Sequence, residues 1–241
     1  ESRSKQNFID NSLRENYLFN STINGIEETD LIVLIGTNPR FEATMVNARI
    51  RKAYLDNHTK IISINDIGDL TYEYDFLDGK TQTIKDIVEN NNEVSKKIID
   101  SKKPMIILGE SFFNTKSANY LFHSLKKFLK KNNKITDEWS PLNILSTDAA
   151  TVGNFDLDIV NMKDNLIDDL KGNKFELIYL LEQDNLDFNK KNEFVIYQGS
   201  HGDKGAEIAD IILPGAAYTE QSAHFTNLEG KIQKAYKASY P

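Results

Sequence analysis

Three stretches of this sequence hold residue types that could do chemistry. The first runs Leu31-Ile-Val-Leu-Ile-Gly-Thr-Asn-Pro-Arg-Phe-Glu42, an unbroken apolar run, a glycine and then an Asn-Pro turn. A buried strand that feeds a helix N-terminus through a Gly-containing loop is where α/β proteins hold a phosphate or nucleotide. Gly36 lets the backbone turn, and Asn38 can cap the free N–H groups of the helix that Pro39 opens. Gly36 and Asn38 are therefore the candidate nucleotide contacts. Asp66 follows the next apolar run, where a ribose-binding carboxylate would stand. The dinucleotide fingerprint, however, wants three glycines so that the backbone can approach a pyrophosphate. Only Gly36 is present, and Pro39 removes a donor. The loop reads as one that turns the chain.

The second stretch, Gly199-Ser-His-Gly-Asp-Lys-Gly205, gathers Ser200, His201 and Asp203, the residue types of a hydrolytic triad. Triad members must converge in space, and near neighbours in a glycine-rich loop rarely do. His201 reads as a structural hydrogen-bonding group, and the glycines as marks of an unusual backbone path. The third stretch, Ala209 to Lys231, is a short strand closed by Pro214-Gly215, then Glu220 and Asn227-Leu-Glu-Gly-Lys231. Composition makes it a loop with two buried acids. The close carboxylates Glu27 with Glu28 and Asp156 with Asp158 read as surface acids without partners. No residue is assigned a catalytic role.

Composition narrows the chemistry further. There is no cysteine among the 241 residues, which removes disulfides, a thiolate nucleophile and cysteine ligands for zinc or an iron–sulfur cluster. His58, His123, His201 and His224 lack metal-site spacing, so no metal ligand is assigned. A net charge of -7 argues against nucleic acid or an anionic membrane surface as the main partner. No apolar run approaches the ~20 residues that span a bilayer, and no signal peptide is evident. Direct membrane insertion is not expected. The chain opens on Glu1 rather than Met, which suggests a piece of something longer.

The elements that must position these residues alternate strand and helix. Residues 1–20 are polar and irregular, anchored first by Tyr17, Leu18 and Phe19, and Glu27, Glu28 and Asp30 look like a solvated loop face. Strands are expected at Leu31–Ile35, Lys60–Ile64, Pro104–Gly109, Phe175–Leu181, Glu193–Tyr197 and Ala209–Pro214. After the first strand, Ala43, Val46, Ile50, Ala53 and Tyr54 form one helical stripe. Helices are also expected at Thr83–Ser101, across a weak Asn90-Asn91-Asn92 centre, at about Thr115–Lys131, and at Val160–Leu170. Leu142–Val152 is ambiguous and leans to helix after Pro141; the loop Glu182–Asn192 has room for a helical turn. Lys126, Lys127, Lys130 and Lys131 read as a solvated face rather than a docking patch. The βαβα alternation predicts a doubly wound, mostly parallel sheet with helices on both faces. The chain reads as part of one α/β domain, with a subdomain break possible within 132–174.

Several runs together resemble a known family: Leu34-Ile-Gly-Thr-Asn-Pro-Arg-Phe-Glu-Ala, Asn47-Ala-Arg-Ile-Arg-Lys, Asp69-Leu-Thr-Tyr-Glu-Tyr-Asp, Lys103-Pro-Met-Ile-Ile-Leu-Gly, Tyr197-Gln-Gly-Ser-His-Gly-Asp and Ala209 to Lys231. In order and spacing, from about Leu13 to Gln233, the chain resembles the large iron–sulfur subunit of respiratory complex I, NADH-quinone oxidoreductase. That family's N-terminal part binds iron–sulfur clusters, and its C-terminal part has the molybdopterin oxidoreductase fold; this chain resembles only the latter. Where the family usually has His-His-Gly-Asp, this chain has Ser200-His201-Gly202-Asp203.

The resemblance implies a redox-silent scaffold domain, without cofactor or metal of its own. Its parent subunit would carry 2Fe-2S and 4Fe-4S clusters on the path from NADH and FMN, the latter in a partner subunit, to quinone, coupled to proton translocation. It would dock other peripheral-arm subunits, on the cytoplasmic side of a bacterial inner membrane or the matrix side of the mitochondrial one. Gly36 and Asn38 would then belong to a relic loop. The alternative is a molybdopterin-dependent oxidoreductase whose Gly36–Asn38 loop grips the cofactor's nucleotide. That alternative needs an open cleft at the strand C-termini, not one filled by Arg40, Phe41 or their neighbours.

Overall fold

The computed structural model describes residues 11–149, 151–159, 166–186 and 188–240. Their contacts divide them into two compact units, one of residues 11–159 with 226–231, the other of 166–225 with 232–240.

The first unit is built on a parallel sheet. Its strands are β1 (Leu31–Ile35), β2 (Lys60–Ile64), β3 (Asp75–Phe76), β4 (Pro104–Gly109) and β5 (Leu142–Leu145), in the order β3-β2-β1-β4-β5. β1 lies between β2 and β4 in register, Leu31 opposite Lys60 on one side and Pro104 on the other. All five β1 residues are buried, as helices on both faces of a parallel sheet require. Helix α1 (Pro39–Glu42) is one short turn; α2 (Thr44–Asn57) buries Val46, Ile50 and Ala53. That stripe packs against Ile32, Leu34, Ile61, Met105 and Ile107, one face of the sheet. Alternation turns Leu31, Val33 and Ile35 to the other face, and they too are buried. His58 closes α2 in the left-handed region at φ 53°, a conformation His tolerates better than most residues.

Several expectations are corrected here. Residues 81–101 form two helices, α3 (Thr81–Val88) and α4 (Glu93–Asp100), because Asn90 turns left-handed at φ 61° and Asn92 caps the second by accepting from Val94 N. The helix expected from Thr115 begins at Ala118 (α6, Ala118–Lys131), after a separate turn α5 (Glu110–Phe113). Leu142–Leu145 is strand β5, with α7 (Thr151–Asp156) following it. A four-residue apolar run has no readable period. What makes it a strand is pairing with β4, Ile106 opposite Leu142, and the buried Asn143, whose side chain accepts from Ser21 N and donates to the carbonyl of Pro141.

Glu27, Glu28 and Asp30 are not an idle solvated face. Glu27 pairs with Arg49 and Lys52, and Glu28 with Lys103. Asp30 accepts from Ser101 Oγ, from Lys102 N at 2.7 Å and from Lys103 N at 2.9 Å, fastening the chain before β4 to the start of β1.

The second unit has three parallel strands, β6 (Leu177–Leu181), β7 (Phe194–Gly199) and β8 (Ile211–Pro214), in sequential order. Helix α8 (Leu166–Lys171) precedes them, and the rest of the expected Val160–Leu170 helix lies outside the described residues. No helix lies between Glu182 and Asn192 among the described residues. Helix α9 (Lys204–Ile208) joins β7 to β8. Right-handed connections between strands in sequential order fall on one face. There Ile178, Leu180, Val195 and Tyr197 pack with Leu170, Phe188, Ala206 and Ile208. On the other face Leu177, Tyr179, Leu181 and Phe194 are exposed. β9 (Ala223–Thr226) and β10 (Ile232–Ala235) pair with each other. No helix among the described residues is long and apolar enough to cross a membrane.

Partial burial raises the pKa of Asp30, but the bonds from Ser101, Lys102 and Lys103 outweigh it, and the carboxyl sits below its ordinary value. Its stabilisation is therefore present above the unfolded value near ~3.9 and lost as pH falls through the lower folded value. Asp30→Ala should cost about 1 kcal/mol at neutral pH, a charge-assisted cluster discounted for solvent screening. In urea titrations the gap from the unsubstituted chain should close as pH drops below about 4.

Candidate functional site

In the order β3-β2-β1-β4-β5 the direction of winding reverses between β1 and β4, and ligands of such sheets bind in the crevice beyond the strand C-termini there. The crevice is formed by the loop after β1, which holds Gly36 and Asn38, and by the start of α5 after β4. Sequence and fold agree on the place.

The two loops meet each other instead of leaving room for a third party. Gly36 has φ +63°, and a Cβ there would stand 2.4 Å from the backbone nitrogen of Phe112. At Gly109 a Cβ would meet Thr37 Cβ at 2.4 Å and the Gly36 carbonyl oxygen at 2.5 Å. The glycines give close backbone approach, as in nucleotide sites, but chain approaches chain.

The donors are used in the same way. Asn38 Oδ1 accepts from Arg40 N at 3.2 Å as the cap of α1, while its Nδ2 donates to the Ile67 carbonyl. Glu42 folds back over the helix start: Oε1 accepts from Asn38 N at 3.0 Å and Oε2 from Thr37 Oγ1 at 2.6 Å. This is a capping box with the acid one residue later than usual. A carboxylate of the chain thus lies where an anionic ligand would have to draw on the same donors.

The remaining hollow, lined by Gly36, Asn38, Glu42, Ile64, Asn65 and Phe112 among others, has a volume of about 270 Å³. Sites for drug-sized ligands hold roughly 300–1,000 Å³. Arg40 and Phe41, named as the residues that would block the cleft, do not: Arg40 reaches Asp69 and Phe41 is 80% exposed. Glu42, which takes the loop's donors, and Phe112, whose backbone lies against Gly36, narrow it. Asp66, the candidate ribose carboxylate, accepts from Gly68 N and Tyr74 Oη within its own loop.

In the second unit the triad-like loop wraps a tyrosine. The Tyr197 hydroxyl lies 3.0 Å from the Asp184 carboxylate and 2.9 Å from the His201 carbonyl, and Asp184 also accepts from Gly205 N. A Cβ on Gly199 would strike the Tyr197 hydroxyl at 2.2 Å, and one on Gly205 its ring at 2.6 Å. Ser200 Oγ lies 2.9 Å from His201 Nδ1 on the exposed surface. The carboxylate in the cluster is Asp184 on the tyrosine, so Ser200, His201 and Asp203 do not assemble a triad.

Of the close pair Asp156 and Asp158, read as without partners, Asp156 is engaged. Asp156 takes both Arg14 Nε and Nη2 at 2.9 Å and the Tyr17 hydroxyl. Glu229, with Asn227-Leu-Glu-Gly-Lys231, serves the N-terminal arm: it accepts from Ile23 N, Leu228 O accepts from Phe19 N, and Gly230 O accepts from Arg14. Glu220 accepts from Ala217 N. Among the described residues no three His, Asp or Glu side chains converge as a metal ligand set.

A family model described as molybdopterin oxidoreductase matches residues 2–241. The chain belongs to the molybdopterin oxidoreductase family. It is 40% identical over 230 residues to the NADH-ubiquinone oxidoreductase 75 kDa subunit of Reclinomonas americana, covering 94% of this chain and 33% of that protein. The mitochondrial 78 kDa subunit of Neurospora crassa is 38% identical over 94% of this chain and 30% of its own length. The corresponding mitochondrial 78 kDa subunit of Candida albicans is 39% identical over 95% of this chain and 31% of its own. The chain spans about a third of the length of these curated relatives. The α/β fold and the family resemblance read from the sequence both hold. The cofactor that names the molybdopterin oxidoreductase family does not fit the crevice of this member. Its phosphates would face the Glu42 carboxylate, and the donors they need are bonded to that same group.

Glu42→Ala should lower stability by about 2 kcal/mol, the range for hydrogen bonds to a charged group, read as a shift of the urea midpoint at unchanged slope. At alkaline pH the second unit gives another readout. Burial, then the bond to Asp184, pushes the Tyr197 phenol up to about 12. Its contribution is complete below the free value near ~10 and disappears as pH rises through the folded value. Tyr197→Phe should flatten the pH dependence of stability over that interval.

Proposed function

We propose that this chain is a redox-silent scaffold within the large iron–sulfur subunit of NADH:quinone oxidoreductase. The reading is carried by identity near 40% along 94% of the chain to a subunit with that name. The whole polypeptide would hold 2Fe-2S and 4Fe-4S clusters in a part that this cysteine-free chain does not represent. Those clusters would pass electrons from NADH, by way of FMN in a partner subunit, to quinone, with proton translocation in the assembled enzyme. Other peripheral-arm subunits are its partners, and its place is the cytoplasmic or matrix face of the energy-transducing membrane. The chain's own share is mechanical: a folded body with no group that exchanges electrons.

Family membership favours a second reading, a molybdopterin-dependent oxidoreductase gripping a pterin nucleotide at Gly36 and Asn38. Glu42 speaks against it, since a carboxylate within hydrogen-bond distance of Asn38 N repels the phosphate that would replace it.

Tagging the full polypeptide in its source organism and resolving membrane extracts under native conditions separates the two. The tag should migrate with NADH-oxidising activity, and the purified band should contain iron without stoichiometric molybdenum. A tag that runs free of that activity, or molybdenum matching the polypeptide in amount, overturns the proposal.

A further inference from the structure

A hollow of about 820 Å³ on the first unit lies away from the crevice, at the outer edge of the sheet. It exists because β3 is too short. β3 has two residues and pairs only with Ile62 and Ser63, leaving Lys60 and Ile61 of β2 without a strand beside them. Lys60 N points inward to the Asp30 carbonyl, so alternation turns the Ile61 N–H toward the empty lane, while the pairing of Ile62 with Asp75 engages the Ile61 carbonyl. A vacant lane beside a parallel strand accepts an extended segment by edge addition.

The walls are aromatic and fixed. Tyr54 and Tyr72 stand with ring centroids 6.0 Å apart, and Tyr74 and Phe76 6.3 Å apart. The Tyr72 hydroxyl is held by Asn47 Oδ1 at 2.7 Å, and that of Tyr74 lies 3.0 Å from Asp66 and 2.9 Å from the Gly68 carbonyl. Phe76 is 58% exposed. Rigid aromatic faces cost a partner little ordering and attract cations through their π-electrons.

The rim supplies the matching sign. Asp69, Glu73 and Asp75 line the hollow against one lysine, Lys60. Asp69 is bonded to Arg40, and Asp75 reaches Lys97 only at 3.8 Å. Glu73 is exposed and has no partner among the described residues.

We propose that this groove docks an extended segment of a neighbouring subunit bearing arginine or lysine side chains, laid along β2 in line with β3. Its cations sit between the tyrosine faces and the carboxylates of Glu73 and Asp75. The proposal rests on the reading of the chain as part of a multisubunit enzyme.

The test places a benzophenone amino acid at Phe76 in the full polypeptide and irradiates the assembled enzyme. The expected result is a cross-link to a lysine- or arginine-bearing segment of another subunit. Its yield should fall at least tenfold in Glu73→Lys/Asp75→Lys, two exposed positions whose exchange leaves the fold intact by circular dichroism. A cross-link confined to this chain, one to an acidic or uncharged segment, or a yield indifferent to the charge reversal overturns the docking proposal alone. If the polypeptide is absent from the NADH-oxidising enzyme, the functional reading falls and this proposal with it.

Discussion

The first unit depends on how closely the chain passes itself beyond the ends of β1 and β4. The two strands are neighbours at the point where the winding reverses, so their loops leave the sheet side by side. In a nucleotide-binding sheet those loops diverge around a ligand. Here Gly36 lies against the backbone of Phe112, and Gly109 against Thr37 and the Gly36 carbonyl, at separations a single methyl group would close. The contact fixes the start of α1 and, through it, the position of α2, whose buried stripe covers Ile32 and Leu34. The arrangement that would seat a cofactor thus serves to set helix against sheet.

The second unit repeats the device with a different filler. Its glycines at 199 and 205 give way to the ring and hydroxyl of Tyr197, and Asp184 holds both that hydroxyl and the loop's own N–H. Small residues beside a histidine and a serine look like a catalytic loop because catalysis and tight packing ask the same thing of the backbone. The occupant decides between them, and in both units the occupant is a side chain of the protein itself.

Much of this was legible in the residues. The apolar runs at Leu31–Ile35, Lys60–Ile64 and Pro104–Gly109 are strands where expected, since four to six buried residues between a polar start and a turn signal leave little choice. The stripe of Val46, Ile50 and Ala53 gave α2, and Asn38 caps α1 as its type suggests. β5 was not legible, because its identity comes from β4 and from Asn143 reaching Ser21, 122 positions away. The partners of Asp156 lie 142 and 139 positions away, so adjacency in the sequence made it look idle. Glu42 was missed at the site although a signal was there: an acid in the first turn after Asn-Pro is the residue that can turn back on its own cap.

A carboxylate in the place of a phosphate changes the thermodynamics of the loop as well as its chemistry. A ligand stabilises the state it binds by an amount that grows with its concentration relative to Kd, so a loop organised around a cofactor is ordered only where the cofactor is supplied. Glu42 is covalently tethered four residues from Asn38 and pays little entropy to reach it, which makes the order of the loop independent of any supply. The exposed donors of a helix start must be satisfied by something. Once Glu42 does so, replacing it demands that a ligand both break its two bonds and displace a like charge. The constraint that keeps the β1–β4 ends closed is therefore the same one that sets a carboxylate against the family's cofactor, and the order of the loop comes from the chain itself.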